Sequence, residues 1–246
     1  MTRGLKLAEF VRALRCEFTK LRRARVLLSA LMVPAGFVTL KIGVFVLRGE
    51  EGLGVDRYTF GYLFSIGQFF WERLLIPLLA VTLCAWLVWL EDESGQWKVL
   101  LTQPVSRGAF FMAKLTIACA LVFLVELCWW LFHTSVGIGL GLHDREVIGP
   151  AGFHALRVAA ALTPVIGVQL LLSVLLRSPF ASLGVGVVGN TASLLLAGTS
   201  MNHWHPWGLA QVAGQASAEP WAIWVAIGAA AALSWVGVAR FARQDV

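Results

Sequence analysis

Long apolar stretches alternate with short polar ones along the chain. Six of them, at roughly 26–47, 69–90, 109–134, 155–176, 179–199 and 220–239, run near 20 residues. About 20 residues of helix, rising 1.5 Å each, cross the roughly 30 Å of hydrocarbon in a bilayer. The stretches lack the apolar–polar alternation of barrel strands, and lipid offers backbone groups no partner outside a helix or a closed barrel. The pattern predicts an all-α integral membrane protein with six transmembrane helices in a single transmembrane domain over residues 1–246. The gaps between stretches reach only about 20 residues, too few for a soluble domain.

Before the first stretch, Leu7, Phe10, Val11, Leu14, Phe18 and Leu21 recur at helical spacing, while Lys6, Glu9, Arg12, Glu17, Lys20 and Arg23 fill the other side. This predicts an amphipathic helix over 1–25 that lies in the membrane interface, its cations meeting anionic lipid. A soluble helix packed on a partner would show the same pattern.

Charge then orients the bundle. With the amino terminus inside, fourteen cations fall on the inner side (Arg3, Lys6, Arg12, Arg15, Lys20, Arg22, Arg23, Arg25, Lys98, Arg107, Lys114, Arg177, Arg240 and Arg243). Five fall outside (Arg48, Arg57, Arg73, Arg145 and Arg157), and Lys41 sits near the end of a span. The positive-inside rule places both termini in the cytoplasm. Composition agrees: 58% of residues are hydrophobic and 14% charged, with mean hydropathy +0.75, whereas about a quarter of an average soluble domain is charged. A cleaved signal peptide is not expected, because the first 25 residues are charged and the apolar run after them exceeds a signal h-region. Cys16, Cys84, Cys119 and Cys128 show no C-x-x-C spacing and read as small apolar residues.

The inner connection after the second stretch carries the most specific signal. It opens with Glu91, Asp92 and Glu93, then places Trp97, Leu100 and Leu101 on one side of a short helix that Pro104 ends. Such a helix suits a groove on a soluble partner, although an ordinary charged connector has the same composition. The pattern Glu91, Gly95, Trp97, Lys98, Leu100, Leu101, Pro104, Val105, Ser106 and Arg107, then Ala113 and Lys114, resembles permeases of the ABC type-2 exporter family. The segment Glu17-Phe-Thr-Lys20-Leu-Arg22-Arg23 is similar to that family's opening elbow helix. Within the family the likeness is to permeases that move antimicrobial peptides, including those that protect lantibiotic producers.

The resemblance implies a coupling helix at 91–107, seated on a separate cytoplasmic ATPase subunit, and a path formed by two permease halves. It also implies a bacterial inner membrane location and a peptide or hydrophobic drug as cargo. No G-x-x-x-x-G-K-[ST] occurs, so this chain lacks the cradle that holds ATP phosphates. ATP and Mg would sit on the partner, with no cofactor bound here. The expected partners are ATPase subunits, a second permease identical or homologous to this one, and lipid; no nucleic acid is expected.

Three further features carry possible chemistry. Glu126 lies well inside a span, where a charge costs at least a few kcal/mol unless paired or protonated. Trp130 and His133 follow on its helix face, and Arg73 near the outer end of the preceding span lies at similar depth, which leaves open a structural pair, a contact with a partner subunit and a contact with the cargo pathway. Gly184, Gly186 and Gly189 form G-x-G-x-x-G, but inside an apolar span they suit close helix approach rather than a dinucleotide. Asn190 beside them suits an interhelical hydrogen bond. His203 and His205 are too few for a metal without carboxylate or thiolate help, and read as part of an outer aromatic belt with short interfacial helices, which the family resemblance implies are re-entrant.

Two other function classes remain. A membrane-embedded enzyme acting on lipid or peptide would need a constellation such as H-E-x-x-H or G-x-S-x-G, which the chain lacks. An ion-coupled secondary transporter would need more than one deep carboxylate or an inverted repeat.

Overall fold

The computed structural model describes residues 2–23, 26–49, 60–65, 67–93, 106–142, 145–176, 178–203, 205–208, 228 and 232. Among these, all regular structure is helical. The order is α1 (Thr2–Arg23), α2 (Val26–Gly49), α3 (Phe60–Ser65), a turn α4 (Gln68–Phe70), a π turn (Trp71–Leu75) and α5 (Ile76–Glu93). There follow α6 (Arg107–Gly139), α7 (Arg145–Ala161), α8 (Thr163–Leu176), α9 (Pro179–Leu195) and a 3-10 turn (Ser200–His203).

Helix ends follow local chemistry. The Ser106 hydroxyl caps α6 by accepting from the Ala109 amide at 3.4 Å. At the far end Gly141 adopts φ +79°, which lets Leu142 N–H reach Gly137 O at 2.8 Å and Gly141 N–H reach Ile138 O at 3.0 Å. This is the six-to-one, five-to-two closure that glycine permits at a helix end. Ser178 caps α9 in the same way, with Pro179 just inside, where its missing N–H has no partner to lose.

Prolines within the apolar runs are accommodated locally. Pro164 leaves the Ala160 carbonyl without its helical donor, and the Thr163 hydroxyl supplies one at 2.7 Å. The chain therefore passes from α7 into α8 as one helical stretch, Glu146–Leu176. The π turn Trp71–Leu75 lies just before Pro77. Its extra residue relieves the crowding of the proline ring on the preceding turn.

Among the described residues three stretches are long and apolar enough to cross a membrane, Gly61–Glu91, Arg107–Gly139 and Glu146–Leu176, and Ala30–Val44 and Pro179–Leu195 are shorter apolar helices. The second run is thus not a regular helix from residue 69. It starts near Gly61, turns at Gly67 with φ +68°, and widens at Trp71. The fourth starts ten residues before the expected 155, which puts Arg157 three turns inside α7 instead of at an outer edge. The expected sixth span at 220–239 and the expected re-entrant segment after Gly208 lie outside the described residues.

Helix α6 is the centre, packed against α1, α2 and α7, while α5 packs against α8 and α9. Trp71, Trp129, Phe111, Leu162, Ile166 and Leu170 are fully buried between these layers. Large apolar side chains on α2 (Leu28, Met32, Leu40) and α9 (Phe180, Val188, Leu195) are exposed, an outward surface suited to lipid. Helix α1 departs from a simple two-faced helix. Leu7, Val11 and Phe18 point outward, whereas Ala13 and Leu21 are buried on the bundle together with a charged residue, Glu17.

Candidate functional site: two polar clusters on the central helix

Two buried polar clusters lie on α6, with Lys114 in one and Glu126 and His133 in the other, some 18 to 28 Å apart at 1.5 Å per residue. The first joins three helices. Lys20 Nζ lies 2.9 Å from Glu17 and 2.7 Å from Glu91, and Lys114 Nζ lies 3.0 Å from Glu17 and 2.8 Å from Glu91. Lys114 also donates to Leu87 O at 2.9 Å. Two acids and two ammoniums alternate in a closed ring, so the cluster is neutral. The Phe110 ring covers it, 5.0 Å from Lys114 and 5.2 Å from Lys20.

Glu17, Glu91 and Lys114 are at most 1% exposed, so each charge depends on its neighbours. Burial pushes the Glu17 carboxyl up, but Lys114 and Lys20 outweigh it and hold it below its ordinary range. Burial likewise pushes Lys20 down, and Glu91 with Glu17 outweighs it and holds the ammonium above its ordinary range.

This ring brings together residues that stand far apart in sequence. Glu17 and Lys20, expected at the headgroups, instead turn into the bundle, because only there do they meet Lys114 and Glu91. Arg22 and Arg23 close α1, Glu93 ends α5 and Arg107 opens α6. Gly95, Trp97, Lys98, Leu100, Leu101 and Pro104 of the expected coupling helix lie outside the described residues. Both flanks of that segment are nonetheless fastened to α1: Glu91 through the ring, and Ser106 through its amide, which donates to Glu9 at 3.3 Å.

The second cluster gathers around Trp71 and Trp129, whose rings stack at 5.5 Å and 5°. Glu126 Oε1 accepts from Trp71 Nε1 at 3.0 Å, and Oε2 has no hydrogen-bond partner among the described residues. The expected Glu126–Arg73 pair is not made. Arg73 stands two positions after Trp71 in the π turn, and its guanidinium lies 4.6 Å from the Phe69 ring. Trp130 also leaves Glu126, donating to Ile148 O at 3.1 Å on α7.

His133 remains in the cluster with an unforeseen partner. Its Nδ1 contacts Trp129 O at 2.8 Å, and a carbonyl can only accept, so Nδ1 carries the proton and Nε2 is the acceptor. Lys41 Nζ donates to that Nε2 at 2.7 Å and to Phe64 O at 2.9 Å. Lys41 is 2% exposed, between α2, α3 and α6. Next to this, Glu72 Oε1 accepts from Gln68 Nε2 at 2.7 Å and contacts His154 Nε2 on α7.

Lys41, Gln68, Trp71, Glu72, Trp129 and His154 escaped the sequence reading. The signal for Lys41 and Glu72 was there, since both are charges within helical apolar runs. Asn190, expected to bridge helices, is buried with neither side-chain amide atom bonded among the described residues. His205 tilts against the Trp207 ring at 5.4 Å. No three His, Cys, Asp or Glu side chains converge as metal ligands among the described residues.

The comparisons now bear on these features. No curated protein matches the chain. A profile described as ABC-2 family transporter protein matches residues 13–193, from within α1 to within α9. The match takes in both polar clusters, the first four apolar stretches and most of the fifth. This chain belongs to the ABC-2 family of membrane transporter proteins.

Proposed function

We propose that this chain is the permease subunit of an ATP-binding cassette exporter, with α1 as its elbow helix and residues 91–107 as the seat of a cytoplasmic ATPase. Members of the family generally work with such a subunit. ATP and Mg belong to that partner, and a second permease, identical or homologous, completes the path. The cargo is an antimicrobial peptide or a hydrophobic drug, moved across a bacterial inner membrane in which six spans leave both termini in the cytoplasm.

The observation that carries this reading is the ring of Glu17, Lys20, Glu91 and Lys114. A segment that only connects two spans has no need of a neutral ionic joint at its base. A segment that receives force does, because a push on 94–105 must reach α5, α6 and α1 as one body. The test replaces residues 95–101 with a flexible Gly-Ser linker. Membrane insertion should persist while co-purification with a co-expressed partner ATPase that the unaltered chain retains is lost; unchanged co-purification defeats the proposal.

The second cluster favours one other reading, ion-coupled transport, since Lys41, Glu72 and Glu126 are charges at membrane depth. Cargo efflux from vesicles that follows a pH gradient without ATP would select it.

A further inference from the structure

A cleft of about 410 Å³ opens between α3 and α7, lined by Phe64, Val147, Phe153, His154, Arg157 and Gln68 among others. Arg157 is the unexplained residue in it. It stands twelve residues into α7, about 18 Å along the helix at 1.5 Å per residue. Among the described residues no carboxylate pairs with it, and its buried Nε has no acceptor. A guanidinium at membrane depth needs a counter-charge or water. The acid behind the cleft, Glu72, makes no ion pair with it, and its Oε1 is turned to His154 and Gln68.

Apart from Arg157, Gln68 and His154, the lining is apolar. Phe153 and Arg157 are one turn apart on α7, and so are Pro150 and His154. One face of the helix thus carries a cation with an aromatic ring beside it, in a space within the usual size range for small-ligand sites.

We propose that this cleft binds the phosphate head of a single-tailed anionic amphiphile, with Arg157 as counter-ion and Phe153 and Val147 as the surface for the tail. A phosphate monoester offers several acceptor oxygens to a guanidinium fork. Its tail matches the apolar wall. This site does not depend on the ATPase reading, since it lies at the end of α6 remote from the ionic ring.

Native mass spectrometry of the full chain in neutral maltoside micelles tests the proposal with three probes: dodecyl phosphate, inorganic phosphate and dodecyltrimethylammonium. One dodecyl phosphate should add saturably, inorganic phosphate should bind far more weakly, and the cationic amphiphile should not compete. Arg157→Gln should weaken dodecyl phosphate about tenfold or more, with Arg157→Lys recovering part of it, the pattern for loss of a charge-assisted contact. Phe153→Ala, at a side chain 63% exposed and so outside the core, should weaken dodecyl phosphate and leave inorganic phosphate unchanged. Equal binding by the wild type and Arg157→Gln overturns the site, as it would if a carboxylate of the chain itself served Arg157. So does equal uptake of the cationic amphiphile. Should Arg157→Gln not fold, undiminished dodecyl phosphate binding by Phe153→Ala overturns it alone.

Discussion

Gly184 and Gly186 stand two residues apart on α9 and meet opposite surroundings. A Cβ on Gly186 would lie 2.3 Å from Val81 and 2.7 Å from the Gln169 amide oxygen, whereas Gly184 has nothing within 4 Å. Gly186 thus sets the approach of α9 to α5 and α8, and Gly184 is only a flexible helix residue. We predict that Gly186→Ala destabilises the protein by about 1 to 3 kcal/mol, the usual cost of overpacking. Gly184→Ala should be neutral or stabilising by up to about 1 kcal/mol, from helix propensity. Melting midpoints of the two variants in detergent decide the matter, and equal midpoints contradict the packing. A motif that looks like a phosphate loop is here a helix contact. The sequence reading reached that conclusion from context, but could not tell which glycine carries the contact, because that depends on the rotation of α9 about its axis.

At the scale of elements, α1 is held to α5 and α6 by charges that cannot be removed singly. Lys114→Met would leave Glu17 and Glu91 buried with Lys20 as their one ammonium. Breaking a buried pair from one side costs about 3 to 5 kcal/mol. Lys114→Met with Glu91→Gln restores neutrality, and should recover more than half of the loss. Hydrogen exchange of α1 amides measures both, and equal exchange in the single and double variants would show that charge balance is not what seats the helix.

The pH dependence that α1 itself brings to this joint follows from its own two shifted groups, Glu17 and Lys20. Glu17 is held below its ordinary 4.5, so its contribution is present above 4.5 and lost as pH falls through the lowered value. Lys20 is held above its ordinary 10.5, so its contribution is present below 10.5 and lost as pH rises through the raised value. Helix α1 should therefore exchange at a constant intrinsic-rate-corrected level between about pH 5 and pH 9. A release of α1 near neutral pH would mean that another group controls its docking.

For the whole molecule, the apolar pattern made the helices legible because bilayer thickness fixes their length. Run boundaries were less legible. Polar side chains that are satisfied inside the bundle, such as Gln68 and His154, extend a helix beyond the edge that hydropathy marks. The ionic ring was half visible: Glu17, Lys20, Glu91 and Lys114 each stood in a recognisable segment. Their convergence depends on α1 folding back along α6, which no local pattern records. Glu126 drew attention as a deep acid, and its partner was misjudged because Trp71, not Arg73, is the residue of the turn Trp71–Leu75 that reaches it.

The orientation of the bundle rests on charge, and the native cysteines can test it. Cys16 on α1 is exposed, Cys84 is buried, and Cys119 and Cys128 are partly buried within the long helix α6. An impermeant maleimide should therefore report chiefly on Cys16, with Cys16→Ser as the blank. If the cation-rich end faces the cytoplasm, intact cells should give no Cys16 labelling and inverted membrane vesicles should give strong labelling. The result bears on both clusters at once, because they sit at opposite ends of α6. Labelling in intact cells would place the ionic ring outside, where no cytoplasmic ATPase could reach 91–107, and would turn the Arg157 cleft toward the cytoplasmic leaflet. Protection in intact cells leaves the ring where an ATPase can push on it and sets the cleft in the outer half, on the side to which an exporter delivers.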